Sequence, residues 1–309
     1  MMNVSRSGFY KWRSITRNHY RIKREELIED VKRVHEQHKT HGYRWVANYL
    51  RLNEGKNYSD GMVYKAWHFL DLKCESKHQP KKRKKAVKSN KNVVQNLIYS
   101  TWETVDRPHQ VVVSDMTAFS FNRLYFELTL FFDVFYKGIL TYRVAARRGS
   151  RFQYIDGLED VRKKLIDEPY PVIIHTDQGS VYTSNEFNKL FDPKSKFKRS
   201  MSRVGKPGDN PVNEAFNGWI KEELFRDFGL GNCKNRQQFL DIVEKYVDYF
   251  NNKRPCWAIG YNIPLQYKKM YDDGLLEHKD TFEHRVLSEI PKSVQEKLKK
   301  TENQENVHS

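Results

Sequence analysis

Three acidic residues of this chain have the types and surroundings that metal-dependent chemistry requires. Asp115 lies inside the apolar, β-branched run VVVSDMTAF, where an unpaired carboxylate costs free energy. Asp177 ends a second apolar run, VIIHTD, and a Gln-Gly pair follows it at once. Glu214 lies one turn inside a predicted helix that begins at Asn210. Two strands and one helix can therefore bring three carboxylates to one edge of a sheet.

Carboxylates that converge in this way repel one another unless cations lie between them. Hard oxygen ligands with few nitrogen or sulfur partners suit Mg²⁺, with Mn²⁺ as a substitute. Two such ions activate an attacking oxygen and stabilise the leaving oxygen of a phosphodiester without a covalent enzyme intermediate. We interpret Asp115, Asp177 and Glu214 as candidate catalytic residues and as candidate ligands of two magnesium ions.

Each acid also has an ordinary interpretation. Asp177 fits a turn residue before a glycine, and Glu214 fits a surface position on its helix. Asp115 is harder to explain in this way because its neighbours favour burial. We interpret His175, two residues before Asp177, as a structural, hydrogen-bonded histidine. Asp133, within FFDVF, is interpreted as a structural acid that orients the neighbouring strand.

The charge balance indicates a polyanionic partner, for which nucleic acid is the obvious candidate. Lys plus Arg number 55 against 39 Asp plus Glu, a formal net charge of +16. Residues 81–91, KKRKKAVKSNK, carry seven positive side chains and no acid, as in a solvated linker or a segment that follows phosphates. Lys221 follows Glu214 by seven residues, so both are predicted on one helix face. The candidate DNA-binding residues are Lys221, Arg203, Lys206, Lys81, Lys82, Arg83, Lys84 and Lys85.

The cysteines and the apolar segments exclude other classes of protein. Cys74, Cys233 and Cys256 are far apart and form no CxxC pair, which argues against a disulfide framework or a zinc ribbon. No N-terminal signal core is present, and no segment approaches the roughly 20 apolar residues of a membrane span. We expect a cytoplasmic protein without a membrane partner.

The first eighty residues predict short helices. Segments 5–13 and 23–37 show helical spacing. The second segment places an apolar stripe on one face: Leu27, Val31 and Val34. The segments HGYRWVANYLRLNEG and YSDGMVYKAWHFLDL predict two helices joined by a glycine-containing turn, with Ser59 as an N-cap. This pair fits a helix-turn-helix, although ordinary helical bundles show the same pattern.

The periodicity changes at Gln110. Three β-branched and aromatic runs, VVVSDMTAFSF, LYFELTLFFDVF and GILTYRVAAR, are separated by hairpin-length breaks and predict an antiparallel meander. The later segments predict helices over 152–165, 184–191, 210–225 and 236–251, and strands over 172–177 and 197–202. The last helix carries an apolar face: Leu240, Val243, Tyr246, Val247 and Phe250. This order predicts an α/β protein, a mixed sheet flanked by helices and preceded by a small all-helical domain.

Several motifs together resemble one family. The run HTDQGSVYTSNEF, followed by SMSRVGKPGDNPVNEAFNGWIKEEL, resembles the signature of OrfB-type insertion-sequence transposases of the IS-three family. SDMTAF and LTLFFDVFYKGILTYRV resemble the segment with that family's first Asp and its following hairpin. YFNNKRPCWAIGYNIPLQY resembles the closing motif, and VSRSGFYKWRS and HGYRWVANYL resemble the N-terminal helical region. The resemblance spans about residues 3–270 and implies the ribonuclease-H-like fold of the DDE group, which includes retroviral integrases.

The resemblance assigns the three acids of the DDE group to Asp115, Asp177 and Glu214. Between the last two lie 36 residues, one more than is usual in the family, and the surplus falls in the loop FDPKSKFK. Val112 stands where the family often has Trp, and Ala118 replaces a frequent aromatic residue. The His-His-Cys-Cys zinc module of retroviral integrases is not present in the sequence.

The resemblance also implies an organisation and a function. We expect a helix-turn-helix-like DNA-binding region over 1–80, a basic linker over 81–105, an integrase-like catalytic core with its closing helix over 106–270, and a charged tail over 271–309. The implied activity is metal-dependent cleavage of element ends and strand transfer into DNA by a transposase. The implied partners are DNA, further copies of the chain on DNA, and an upstream OrfA protein or fusion. The alternatives are a ribonuclease-H-type nuclease that does not join strands and a non-catalytic DNA-binding derivative.

Overall fold

The N-terminal part of the chain is helical. The computed structural model describes residues 6–13, 15–75, 92–98, 102, 105–203 and 211–276, and the side chains of all of these except 11–22 and 211–217. The first four helices are α1 (Arg6–Arg13), α2 (Ile15–Gln37), α3 (Tyr43–Glu54) and α4 (Asp60–Phe69). Helix α2 begins eight residues before its predicted start, because no glycine or proline interrupts the chain there.

Helices α3 and α4 are joined by a short turn. The turn begins at Gly55, whose φ of 64° is left-handed and favours glycine. Ser59 accepts a hydrogen bond from the backbone N–H of Met62, which confirms its prediction as an N-cap. The predicted stripe of α2 is also confirmed, since Leu27, Val31 and Val34 are buried. The helix pair therefore has the predicted order and turn.

A five-stranded mixed sheet follows the helices. Its strands are β1 (Val111–Phe121), β2 (Leu124–Asp133), β3 (Ile139–Ala145), β4 (Val172–Thr176) and β5 (Phe197–Met201). The spatial order is β3-β2-β1-β4-β5. Strand β2 is antiparallel to both of its neighbours, β1 and β3. Strand β4 is parallel to β1, and β5 is parallel to β4. This confirms the predicted mixed sheet in its ribonuclease-H-like arrangement. Asn122 and Arg123, with φ of 46° and 61°, form the two-residue turn between β1 and β2.

Five helices flank or follow the strands. They are α5 (Phe152–Lys164), α6 (Asn185–Asn188), α7 (Pro211–Arg226), α8 (Arg236–Asn252) and α9 (Pro264–Asp272), with short 3₁₀ helices at Leu230–Asn232 and Trp257–Ile259. The prediction of a helix over 184–191 was too long. The backbone N–H groups of Leu190 and Phe191 donate to carbonyls three residues back, so the chain tightens into turns after Asn188. Helix α9 was not predicted.

The two faces of the sheet carry separate apolar clusters. Val111 and Val113 of β1 pack on the face shared with α7, α8 and the N-terminal helices, whereas Val112 packs on the face covered by α5. The buried face of α8 is rotated slightly from the predicted one. Phe239 and Tyr249 are buried, whereas Leu240 and Val247 are half-buried. The other members of that stripe are buried as predicted: Val243, Tyr246 and Phe250.

None of the helices in the described segments is both long enough and apolar enough to cross a membrane. The basic linker over 81–105 and the charged tail over 271–309 were predicted from sequence. Residues 76–91 and 277–309 lie outside the described residues. The division of the chain into four regions stays a prediction.

Candidate active site

Asp115 and Asp177 lie at the same level on adjacent strands. The last pair of residues in the parallel β1–β4 ladder is Ser114 and Thr176, and each aspartate follows one of them. Neighbouring strands are about 4.8 Å apart. Strand β4 ends at Thr176, so Asp177 is the first residue beyond it, whereas β1 continues past Asp115. Both aspartates are half-buried and therefore within reach of solvent.

Alternation along the strands places both aspartates on one face of the sheet. Asp115 shares the face of Val113, and Asp177 shares the face of Ile173, because side chains two residues apart point the same way. Val113 and Ile173 belong to the same apolar cluster. The two carboxylates therefore start from adjacent backbones and leave the sheet on the same side.

The hydrogen bonds that orient these two carboxylates include backbone amides. The N–H of Gly179 donates to Oδ1 of Asp177 at 2.8 Å, and the N–H of Met116 donates to Oδ1 of Asp115 at 2.7 Å. A Cβ on residue 179 would lie 2.8 Å from Oδ1 of Asp177, so a side chain there would displace the carboxylate. Among the described side chains, no lysine or arginine forms an ion pair with Asp177.

Tyr182 belongs to the apolar cluster on the α5 side of the sheet. Its ring is buried, and its hydroxyl is 2.8 Å from Oγ of Ser114, the residue before Asp115. Burial raises the pKa of the Tyr182 phenol well above its ordinary value, and the charges of Asp115 and Asp177 raise it further. The Tyr182 phenol is therefore close enough to both carboxylates for their charges to raise its pKa. Sequence reasoning did not identify this residue, although it lies inside the HTDQGSVYTSNEF run.

Helix α7 carries Glu214 across the face of the sheet that bears both aspartates. Ile220 and Leu224 of α7 are fully buried in the cluster that contains Val113. Glu214 is the fourth residue of the helix, and its side chain lies outside the described residues. Lys221 is exposed, with Nζ 5.9 Å from the ring centroid of Phe119 on β1. The helix therefore passes over β1, the strand of Asp115.

The remaining predicted residues fall into two groups. Arg203 is exposed two residues after β5, and Gln178 donates to the carbonyl of Ser202 at 3.0 Å, which joins the segments after β4 and β5. The other predicted residues lie outside the described part of the chain: Lys206, Lys81, Lys82, Arg83, Lys84 and Lys85.

His175 and Asp133 are buried and hydrogen-bonded within the protein. His175 is fully buried, with Nδ1 2.9 Å from Oγ of Ser200. Asp133 is fully buried and accepts hydrogen bonds from the backbone N–H groups of His109 and Phe135 at 2.7 and 2.8 Å. Burial raises the pKa of Asp133 to about 6. Both agree with the structural interpretations made from sequence.

The C-terminal half of α7 is held by a buried ion pair. Glu223 is fully buried, and Arg254, two residues after the end of α8, donates to it through Nε at 2.9 Å and through Nη2 at 2.6 Å. The hydroxyl of Tyr246 on α8 donates to Oε2 of Glu223 at 3.1 Å. Nε2 of His41, between α2 and α3, is 3.5 Å from Oε1 of the same carboxylate. The Glu223 carboxylate thus connects α7 to α8 and to the segment after α8.

A second buried carboxylate joins α7 to the N-terminal helices. Oγ1 of Thr40 donates to Oδ2 of Asp227 at 2.7 Å, one residue beyond the end of α7. Burial raises the pKa of Asp227 to about 7, and burial lowers the pKa of His38 to about 4. Sequence reasoning missed Glu223, Arg254 and Asp227, because the partners are separated by tens or hundreds of residues.

The donor set suits a hard divalent cation. Asp115 and Asp177 offer carboxylate oxygens from adjacent backbones, on one face of the sheet and within reach of solvent, as Mg²⁺ requires. Among the residues with described side chains, no group of three acids, histidines or cysteines has the geometry of a metal site. A complete site would need a further ligand, and α7 packs on the face of the sheet that carries both aspartates.

Several known proteins are similar to this chain in sequence. The integrase core domain family matches residues 214–271, which include most of α7, all of α8 and most of α9. The putative transposase InsK for insertion sequence element IS150 of Escherichia coli (strain K12) is 28% identical over 275 residues, covering 86% of this chain and 90% of that protein. The transposase for insertion sequence element IS904 of Lactococcus lactis subsp. lactis (strain IL1403) is 28% identical over 254 residues, covering 80% and 95%. These relatives confirm the resemblance to insertion-sequence transposases.

Solved structures similar to this chain include two viral proteins. The simian T-cell lymphotropic virus intasome, in complex with PP2A regulatory subunit B56 gamma, contains a chain with a TM-score of 0.44 and 15% identity, covering 79% of this chain and 77% of that one. The HTLV-2 integrase catalytic core domain in complex with magnesium has a TM-score of 0.40 and 17% identity, covering 52% and 97%.

Proposed function

We propose that this chain is a transposase that cuts the ends of a DNA element and joins them to target DNA. The observation that carries the proposal is the alignment of Asp115 with Asp177 on adjacent parallel strands, beneath the helix that contains Glu214. The relatives named as transposases resemble the chain over most of its length, which supports the same activity.

We assign the catalytic carboxylates to Asp115, Asp177 and Glu214, as ligands of two Mg²⁺ ions that Mn²⁺ can replace. Bound there, the ions would activate the attacking oxygen and stabilise the leaving oxygen of the scissile phosphodiester. The protein's own residues fix the geometry: the N–H of Gly179 orients Asp177, and the Tyr182 hydroxyl contacts Oγ of Ser114, the residue before Asp115. The structure of an HTLV-2 integrase core with magnesium agrees with a divalent ion for this fold.

The DNA is proposed to lie along the carboxyl edge of the sheet. Arg203 after β5 and Lys221 on α7 are exposed next to the segments that carry the acids. Lys206 and the basic run Lys81, Lys82, Arg83, Lys84 and Lys85 are proposed to add phosphate contacts. The helices within 1–80 are proposed to bind DNA as well. Several copies of the chain would hold two element ends together, with an upstream OrfA partner or fusion recognising the ends.

Incubation with labelled DNA tests the proposal. The DNA carries the ends that flank the gene for this chain, with Mg²⁺ or Mn²⁺ present, and the wild type is compared with Asp177→Asn. We expect cleaved and joined products from the wild type alone. Asp272→Asn is the matched control, because it removes the same charge at an exposed position on α9, and it is expected to retain activity.

Three other outcomes separate the alternatives. Cleavage without joining would indicate a ribonuclease-H-type nuclease. DNA binding without any product would indicate a non-catalytic derivative, unless the fused upstream partner restores the products. Equal activity of wild type and Asp177→Asn would contradict the assigned site.

A further inference from the structure

The loop between β3 and α5 opens onto the same edge of the sheet as the two aspartates. Strands β1 and β3 are both antiparallel to β2, so β3 and β1 run in the same direction. Ala145 at the end of β3 pairs with Glu127, which pairs with Ala118, three residues beyond Asp115. Two strand spacings and three residues along the strand place Ala145 roughly 14 Å from Asp115.

This loop, residues 146–151, is strongly basic. Its sequence ARRGSR contains three arginines and no acid. Arg147, Arg148 and Arg151 are all exposed. Arginine suits a phosphate partner because its planar guanidinium donates two parallel hydrogen bonds to adjacent oxygens.

A buried carboxylate fixes the shape of the loop. Glu127 on β2 is buried, and it accepts hydrogen bonds from the N–H of Gly149 at 2.9 and 3.1 Å. Nε2 of Gln153 and the hydroxyl of Tyr125 also donate to it, at 3.2 and 2.7 Å. Gly149 has a φ of 68°, so the loop turns sharply where Glu127 holds it. The arginines therefore extend from a fixed turn.

One of the three arginines contacts the segment that follows Asp177, and another contacts β2. Arg151 forms an exposed ion pair with Glu186 of α6 at 3.3 Å, nine residues beyond Asp177. The guanidinium of Arg148 lies 5.1 Å from the ring centroid of Tyr125. Arg147 has no ion-pair partner among the described side chains. The exposed pair of Arg151 is weak enough for a phosphate to replace Glu186.

We propose that Arg147, Arg148 and Arg151 form a binding site for the DNA backbone beside the aspartates. Each arginine would neutralise a phosphate of the strand that enters the site, while Glu127 keeps the loop in place. This inference rests on the proposed function, because the ligand is the DNA on which the carboxylates act. These three arginines are separate from the basic residues of the linker and from Lys221 on α7.

The salt dependence of DNA binding tests this site. DNA binding is measured with the full chain and a duplex of about 40 base pairs that carries an element end. EDTA is present so that no cleavage occurs. The salt concentration is varied from about 50 to 200 mM, a range over which lost phosphate contacts change the affinity measurably. The variant is Arg147→Ser with Arg148→Ser. The matched control is Lys163→Ser with Lys194→Ser, which removes the same charge at exposed positions on the opposite edge of the sheet.

We expect the arginine variant to lower the slope of log K against log salt by about 1.8, since each lost phosphate contact removes about 0.9. The control is expected to keep the wild-type slope. Arg147→Lys with Arg148→Lys keeps both charges and is expected to restore most of the slope. An arginine variant with the wild-type slope, or a control with an equal loss, would overturn the site.

The outcome also separates this inference from the proposed function. Wild type that binds and cuts DNA, together with an unchanged slope in the arginine variant, would overturn the loop site alone. Wild type that does not bind the duplex at all would overturn both. An unchanged thermal unfolding midpoint in the arginine variant shows that a changed slope reflects lost contacts rather than a damaged fold.

Discussion

The carboxylates at the sheet edge differ from the carboxylate in the middle of α7. Glu223 is fully buried and saturated by Arg254 and Tyr246, whereas Asp115 and Asp177 are half-buried. Asp177 is oriented by a backbone amide, and no described lysine or arginine pairs with it. A buried charge requires such a counterion, while a half-exposed charge can remain available for an ion from solvent.

Glu223 and the two aspartates at the sheet edge have different tasks. Glu223 stabilises the position of α7 by joining it to Tyr246 of α8 and to Arg254 in the segment after α8. Asp115 and Asp177 have the exposure that cation binding needs. If the comparison is right, removing the two kinds of carboxylate has opposite consequences for stability and activity.

The largest expected effect comes from Asp115→Asn. Cleavage and joining should fall to the background level, because the proposed site loses one of its ligands. The thermal unfolding midpoint should stay the same or rise, since the substitution relieves repulsion between adjacent carboxylates. Parallel activity and calorimetry measurements check this, and a variant that unfolds at a much lower temperature would assign Asp115 to the fold instead.

The next effect concerns Glu223→Gln. It leaves the Arg254 guanidinium buried without a counterion, so the free energy of unfolding should fall by about 3–5 kcal/mol. Denaturant unfolding measures it. Glu223→Met combined with Arg254→Met removes both charges and should cost less than the two single changes added together. A cost below about 1 kcal/mol for the single change would contradict a structural role for the pair.

A smaller, pH-dependent effect is expected at Asp227. Its folded pKa of about 7 lies above the ordinary 3.8, so it favours folding when protonated. Its contribution is fully present below about pH 4 and is lost as the pH rises towards 7. Relative to wild type, Asp227→Asn should therefore gain stability across this range. Burial lowers the pKa values of His38 and His41, so their contribution to stability changes with pH in the opposite direction. The quantity to measure is therefore the difference in the free energy of unfolding between wild type and Asp227→Asn at each pH.

The smallest effect is expected at an exposed carboxylate. Asp272 pairs with Lys268 one turn earlier on α9, and both side chains are partly exposed. Asp272→Asn should change the free energy of unfolding by less than about 0.5 kcal/mol and should leave activity unchanged. A larger loss in either measurement would show that exposure alone does not distinguish these carboxylates.

Much of the fold was predictable because the strands have strong local signals. The runs that became β1, β2 and β3 combine β-branched and aromatic residues with short polar breaks, and all three were predicted within a few residues. The short α6 was not, because its sequence favours a longer helix and only the tight turns after Asn188 end it. Helix α9 was missed because it carries no apolar stripe that predicts a helix, and Pro264 is its one buried residue.

The site was predictable only where its residues carry a sequence signal. Asp115 stands out because it interrupts an apolar run, and the structure aligns its strand with that of Asp177. The partnership of Glu223 with Arg254 could not be predicted, since 30 intervening residues and the packing of α8 decide it. The basic loop of 146–151 was visible in sequence, but its position at the catalytic edge depends on the strand order.

The most direct test of the proposed metal site is a change of ligand chemistry at Asp177. Asp177→Cys replaces a hard oxygen with a sulfur that Mg²⁺ binds poorly and that softer ions bind well. Strand cleavage by this variant is measured in Mg²⁺, Mn²⁺ and Cd²⁺ beside the wild type. We predict no cleavage in Mg²⁺ and recovered cleavage in Mn²⁺ or Cd²⁺. Cleavage in Mg²⁺ at the wild-type rate would contradict Asp177 as a metal ligand.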